Sequence, residues 1–380
     1  MRIAVLTGGG HVSGLNAGIG GITKEARDKN WDVLGSFYGW EGMEKENFLE
    51  LDEKNTDSIK NYGGSVLGSG RWKPDLSKVM KTVEDYDIDG IVALGGDDTL
   101  SVLRELWEEH RLPCAGWPKT MDNDLGGTYF SLGYPKAVKV SAQTTSDAFD
   151  VASTHRRIAL VSLFGRATDW VAAGAAAYGN ADMIVPGEKE TNLEEIYEKA
   201  KDLFSKNEDR YGRPCAVIVV AEGASINGLE THVKSEDVHM DDFEHPKLDP
   251  QDLVSSLSDA ITYLSKEDGK KINTGPITLT YELRNGKPLD ICKDYGYECG
   301  KKCVQMLDEG KHSKMAAIER KGDEIFVGES ELAEAVNRKE VKDTDYMDYD
   351  NYKVTDSFLE YASPFMGEKY ERDVRMLSPD

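Results

Sequence analysis

Apolar residues fall along this chain in short unbroken runs, each closed by a turn rich in Gly, Asp or Pro. Helix-period pattern lies between several of these runs. The first run, Arg2–Thr7, ends at Gly8-Gly9-Gly10 and is followed by a helical pattern from Asn16 to Asp28. This predicts a strand, a tight loop and a helix, the opening of a doubly wound domain. Runs at Asp32–Phe37, Ile88–Gly96 and Pro113–Trp117 repeat the theme. They do not alternate apolar with polar positions, so strands buried on both faces of a parallel sheet are predicted. A second series begins near Tyr134, with strands at Arg157–Leu163 and Cys215–Ala221, a helix at Asn192–Asn207, a strand after Gly275-Pro276 and a helix from about Asp290 to Asp308. The polar stretch Lys234–Asp249, rich in His and acid, reads as a surface excursion. Beyond Glu329 the chain is acidic but carries several tyrosines, and it is expected to pack on the body as an extension. The whole reads as two α/β domains with parallel-rich sheets, the chain crossing between them more than once.

A chain of 380 residues with 39% hydrophobic positions has room for two cores. Formal net charge is −23, from 46 basic and 69 acidic residues. That surface would repel a duplex backbone, so no nucleic-acid partner is expected. If the ligands are phosphates, Arg and Lys must be concentrated locally. No apolar stretch is long enough to cross a bilayer, and the N-terminus has no small-residue cleavage site, so no membrane partner and a cytoplasmic location are expected. The five cysteines form no CxxC pair and read as reduced thiols; Cys299 and Cys303 share a helix face, as packing residues do. His232, His239 and His245 lack metal-ligand spacing and read as solvated.

In doubly wound sheets ligands sit outside the C-terminal strand ends, where loops present backbone N–H groups and helix N-termini. Three glycine turns lie at such ends: Gly8-Gly9-Gly10, the loop from Gly63 to Arg71, and Gly95-Gly96-Asp97-Asp98-Thr99. The first admits a phosphate close to the backbone, and a dinucleotide site competes for that reading. Against it, no carboxylate closes the second strand, where a ribose would be held, and there is no GxxxxGK[ST] loop. Two carboxylates at the mouth of a phosphate loop make chemical sense when Mg²⁺ bridges them to phosphate. The segment Pro118-Lys119-Thr120-Met121-Asp122-Asn123-Asp124 adds a cation, a hydroxyl and two more carboxylates. One carboxylate there suits a base for an acceptor hydroxyl and another a metal ligand, with Lys119 neutralising a transferring phosphoryl group.

Gly-Gly-Asp-Asp-Thr followed by Pro-Lys-Thr-Met-Asp-Asn-Asp resembles the motif pair of the phosphofructokinase family in its pyrophosphate-using form; the ATP-using form has Gly at the positions of Asp98 and Lys119. The resemblance extends over most of the chain. Gly9–Asn16 is similar to the first phosphate loop, with His11 and Ser13 where Asp and Pro are usual. Gly64–Arg71 matches the loop whose Arg contacts the donor; His155-Arg156-Arg157, Phe164-Gly165-Arg166, Glu222-Gly223 and Arg284-Asn285-Gly286-Lys287-Pro288 resemble acceptor motifs.

The resemblance implies a phosphofructokinase-like fold of two doubly wound, Rossmann-like domains. Residues 1–133 with about 288–338 would form the donor domain, and 134–287 with about 339–380 the acceptor domain. It implies Asp122, Lys119, Thr120 and Asp124 as catalytic groups. Donor contacts would come from Gly9, Gly10, Arg71, Asp98, Thr99 and Lys119. Acceptor contacts would come from Arg157, Phe164, Gly165, Arg166, Glu222, Tyr281 and Arg284, and Mg²⁺ would be held by Asp97 and Asp124. Pyrophosphate and a sugar or sugar phosphate are the implied small-molecule partners, with a homodimer or homotetramer in which Arg157 completes a neighbour's site. Asp98 puts negative charge where a nucleotide's α-phosphate needs room, a penalty of several kcal/mol on ATP. Tyr281 stands where the family has a His, and Asn273–Gly275 brings no further Arg. The acceptor therefore stays open between fructose 6-phosphate and another sugar or polyol. A phosphate sensor without turnover is the non-enzymatic alternative, and the Asp122/Asp124 pair argues against it.

Overall fold

The computed structural model describes residues 1–229, 249–372 and 374–377. The excursion at Lys234–Asp249, with His232, His239 and His245, lies outside them apart from Asp249. Two compact units emerge, each assembled from separate chain segments.

The first unit takes Met1–Lys136 and Arg284–Lys339. Its seven-stranded sheet runs in the order Glu324–Glu331, Lys314–Lys321, Cys114–Pro118, Gly90–Gly95, Arg2–Thr7, Asp32–Ser36, Phe48–Glu50. The five inner strands are parallel, with Ile3 opposite Gly90 and Ile91 opposite Cys114, and both edge strands are antiparallel. The three central strands, Arg2–Thr7, Gly90–Gly95 and Cys114–Pro118, are buried almost throughout, which is why they read as unbroken apolar runs. Ala4, Leu6, Ile91 and Ala93 pack on Leu100, Leu103 and Leu106 of the helix Asp97–His110. The helix Leu15–Asp28 crosses Asp290–Asp308 so closely that a Cβ on Gly21 would lie 2.1 Å from the Tyr297 carbonyl oxygen, and one on Gly300 2.2 Å from that of Gly18. Any larger residue would force these helices apart. The crossing brings both helix starts together, and with them the loops that precede them, Gly8–Gly14 and Arg284–Leu289.

The second unit takes Ala137–His239, Pro246–Leu283 and Glu340–Asp380, so far as these are described. Its sheet is fully parallel, in the order Asn273–Leu279, Arg157–Leu163, Ala216–Ala221, Met183–Val185. Ile158, Leu160, Ile218 and Val220 pack on Ile196 and Ile261 of the helices Leu193–Tyr211 and Pro250–Glu267. The Asp249 carboxylate accepts from the Gln251 and Asp252 amides, and Pro250 takes the first helical position, a well-signalled start. The strand expected after Gly275-Pro276 instead runs through them, because it is an edge strand and Pro276 needs no ladder donor there.

The chain crosses between units at 283/284 and 339/340, which assigns Arg284 to the first unit. The acidic tail accordingly divides. Glu329–Lys339 belongs to the first unit, whereas beyond it Tyr346, Phe358 and Tyr361 cluster with Trp170 of the second. All five cysteines are buried and free, with thiols pushed well above their usual range by burial; Cys299 and Cys303 share one helix, as expected. No helix among the described residues is long and apolar enough to cross a membrane.

Candidate active site

Three loops of the first unit are tied together at the C-terminal ends of its strands. Gly8 N donates to Leu94 O at 2.9 Å, Gly9 N to Gly70 O at 2.9 Å, and Ser69 Oγ to Gly9 O at 2.6 Å. Arg71 follows directly from Gly70. Thr99 packs against Gly8 and Gly95, and Asp97 and Asp98 occupy the first turn of their helix. The macrodipole stabilises both carboxylates there.

Lys119 is the centre of this arrangement. Only 1% exposed, it sends Nζ to Gly8 O at 2.6 Å and Gly10 O at 2.5 Å, while its amide donates to Gly95 O at 2.9 Å. Its ammonium is pulled down to about 7, first by loss of water and next by the Arg284 charge; Arg71 pulls the same way, and Asp122 and Asp97 oppose. A buried lysine beside two guanidinium groups concentrates positive charge at these loops, as an anion-binding site requires. Beside it, Thr120 Oγ donates to Asp122 Oδ2 at 3.2 Å and accepts from the Asp122 amide at 3.0 Å, which fixes that buried carboxylate.

Asp124 is pushed above the usual carboxylate range by desolvation, then by Asp122 and Asp97, with Arg338 pulling back. Three carboxylate charges are thus felt at one place. Among the described residues no group of three or more His, Cys, Asp or Glu side chains forms a protein-only metal cage. Mg²⁺ needs no such cage: it takes one or two carboxylates and completes its octahedron from substrate and water. Asp97 and Asp124, whose charges act on one another, could supply those carboxylates.

Arg284, expected among the acceptor contacts, belongs to the first unit and reaches its first phosphate loop. Its Nη1 would lie 2.6 Å from a Cβ on Gly10, so the bare glycine is what lets the guanidinium approach the first phosphate loop. His11 and Ser13, the two departures from the family pattern, hold the Arg284 loop there. His11 Nε2 lies 2.7 Å from Asn285 Oδ1, and Ser13 Oγ donates to Gly286 O at 3.4 Å.

In the second unit, Glu222 Oε2 accepts from the Gly165 amide at 2.9 Å and the Arg166 amide at 2.6 Å, and Phe164 meets Tyr281 edge to face at 5.6 Å. Phe164, Gly165, Arg166, Glu222 and Tyr281 therefore form one group. Arg157 is not part of it: it starts the strand whose far end leads to Phe164, about 20 Å away at ~3.3 Å per residue.

Sequence reasoning missed Lys339 and Arg338, which lie in an acidic stretch with no motif. It also missed the buried Asp169, whose carboxylate is raised to about 6 by desolvation and accepts from the Gly187 amide at 2.6 Å and from Tyr349 Oη at 3.1 Å.

The fold and these loops define a class, and comparison with known proteins agrees. The phosphofructokinase profile matches residues 2–307, and the chain belongs to that family. It is similar to a pyrophosphate–fructose 6-phosphate 1-phosphotransferase of Dictyoglomus thermophilum, 34% identical over 332 residues, 86% of this chain and 91% of the relative. It is also similar to an ATP-dependent 6-phosphofructokinase of Corynebacterium efficiens, 31% identical over the same shares. A pyrophosphate-dependent phosphofructokinase structure from Marinobacter aquaeolei superposes with a TM-score of 0.79 at 20% identity, covering 99% of this chain and 95% of its own. The protein is a phosphotransferase with the phosphofructokinase-like α/β fold.

Proposed function

We propose that the protein moves a phosphoryl group from pyrophosphate to a hydroxyl of a sugar phosphate, with fructose 6-phosphate as acceptor and Mg²⁺ as cofactor. Relatives named for either donor lie at similar identity, so the donor reading rests on residues. The observation that carries it is the Lys119 ammonium, seated on the Gly8 and Gly10 carbonyls with Asp98 in the neighbouring helix start. Lys119 fills space and supplies charge suited to a compact, highly charged donor, while Asp98 repels a nucleotide's α-phosphate.

Asp122 takes the proton of the acceptor hydroxyl as its oxygen forms a bond to phosphorus, and the bond to the bridging oxygen breaks to release orthophosphate. Thr120 holds the Asp122 carboxylate in orientation. Lys119, Arg71 and Arg284 neutralise the charge on the donor and leaving phosphate. Asp97 and Asp124 would hold Mg²⁺, which supplies charge neutralisation at the phosphate oxygens. Glu222, Arg166 and Phe164 orient the sugar, and Arg157 of a neighbouring subunit completes its phosphate clamp in a homodimer or homotetramer.

A second reading has one observation in its favour. With Arg284 at the first phosphate loop and Tyr281 carrying no positive charge, Arg166 is the cation that remains in the Glu222 group among the described residues, which suits an unphosphorylated sugar or polyol. A grid of pyrophosphate and ATP against a panel of sugars, sugar phosphates and polyols tests both readings. Turnover of fructose 6-phosphate with pyrophosphate supports the first, and turnover confined to unphosphorylated acceptors installs the second.

A further inference from the structure

The loop that carries Asp122 and Asp124 is held by a segment far along the chain. Residues 337–339 run antiparallel to it: Leu125 bridges Arg338, Gly126 N donates to Asn337 O at 2.8 Å, and Lys339 N donates to Asp124 O at 2.8 Å. The approach is close enough that a Cβ on Gly126 would lie 2.6 Å from the carbonyl oxygens of both Asn337 and Glu334. Between the two carboxylates sits Asn123, fully buried at φ 56°, in the left-handed region that Asn tolerates better than most L-residues but that its side-chain hydrogen bonds help to hold. Its Oδ1 accepts from the Ser131 amide at 3.0 Å and from Lys339 Nζ at 3.2 Å. The same ammonium donates to Thr128 O at 3.2 Å and Tyr129 O at 3.1 Å. A lysine has three donors, and these oxygens can engage all of them.

We propose that Lys339 is a positioning residue for the catalytic loop: its ammonium pins Asn123 in the left-handed turn and thereby sets the directions of Asp122 and Asp124. A left-handed residue redirects the chain between its neighbours, so relaxing Asn123 would swing the two flanking carboxylates relative to each other. Lys339 touches neither donor nor acceptor in this account, and its effect belongs in kcat. The inference rests on the reading of Asp122 as base and Asp124 as metal ligand.

The test replaces Lys339 with Met, which keeps length and removes the donors, and with Cys. The Cys variant is alkylated either with bromoethylamine, restoring an ammonium at similar reach, or with iodoacetamide, restoring bulk alone. The five native thiols are buried, so the wild type treated in parallel is the control. Lys339→Met is expected to lose at least about tenfold in kcat, with both KM values within about threefold of wild type. Aminoethylation of the Cys variant recovers most of the loss and carbamidomethylation does not. Hydrogen exchange should quicken selectively at Asn123–Ser131. Wild-type kcat in Lys339→Met, equal rescue by both reagents, or exchange that rises uniformly with a lowered melting temperature would each overturn the proposal. If the wild type does not use pyrophosphate and fructose 6-phosphate, the functional reading fails on that assay alone, and the exchange pattern still decides the role of Lys339.

Discussion

Replacing Arg284 with Gln separates the donor from the acceptor. The guanidinium lies against Gly10, and its charge is the second cause, after burial, of the depressed Lys119 ammonium. If it binds pyrophosphate, the variant loses a charge-assisted hydrogen bond worth about 1.5–3 kcal/mol. At about 1.4 kcal/mol per decade, that is roughly a ten- to hundredfold rise in KM for pyrophosphate, with KM for the sugar phosphate little changed. A second readout follows from Lys119. Its charged form is needed to hold the donor, and in the free protein it titrates at about 7. kcat/KM for pyrophosphate should therefore fall as pH rises through that value. Arg284 lowers the Lys119 pKa, so removing its charge raises that pKa and moves the fall to higher pH. Pyrophosphate's own titration is common to both enzymes and cancels in the comparison. Initial rates at varied donor and saturating acceptor, then the reverse, from pH 6 to 9, give both quantities. A variant with raised sugar-phosphate KM, unchanged pyrophosphate KM and an unmoved pH profile would place Arg284 on the acceptor side instead.

Two further outcomes are expected. Asp122→Asn keeps shape and the Thr120 contacts but cannot take a proton, so single-turnover rates should fall by about 10² or more with KM nearly unchanged; retention of most of the rate would make Asp122 structural. Arg157 stands at the opposite end of its strand from Phe164, so mixing Arg157→Ala with Asp122→Asn subunits should restore part of the activity. A fully active monomer by light scattering would rule out the shared site.

Much of the fold was legible because the parallel strands are buried on both faces and so appear as unbroken apolar runs ending in glycine turns. The hairpin Lys314–Lys321 and Glu324–Glu331 gave no such signal: it forms one edge of the sheet, and its outer strand is only half-buried from Ile325 to Ser330, with an exposed Glu at each end. The strand through Pro276 was read short because proline normally ends a strand, and its edge position is not visible locally. At the site, the Gly-Gly-Asp-Asp-Thr and Lys119–Asp124 segments were readable as chemistry because donor, base and metal groups lie within a few positions. The placement of Arg284 was not, since it depends on helices crossing at Gly21 and Gly300 that bring its loop beside Gly10. Lys339 was invisible for a related reason. Its partners are more than 200 positions away, and no motif surrounds it.

Donor choice is measured by kcat/KM for pyrophosphate and for ATP with Mg²⁺ and fructose 6-phosphate, alongside the variant carrying Asp98→Gly and Lys119→Gly. The wild type is expected to prefer pyrophosphate by about 10² or more, from a like-charge penalty of several kcal/mol on the nucleotide. The double variant is expected to lose pyrophosphate use. Comparable kcat/KM for the two donors in the wild type, or undiminished pyrophosphate use by the double variant, would contradict this reading of the donor.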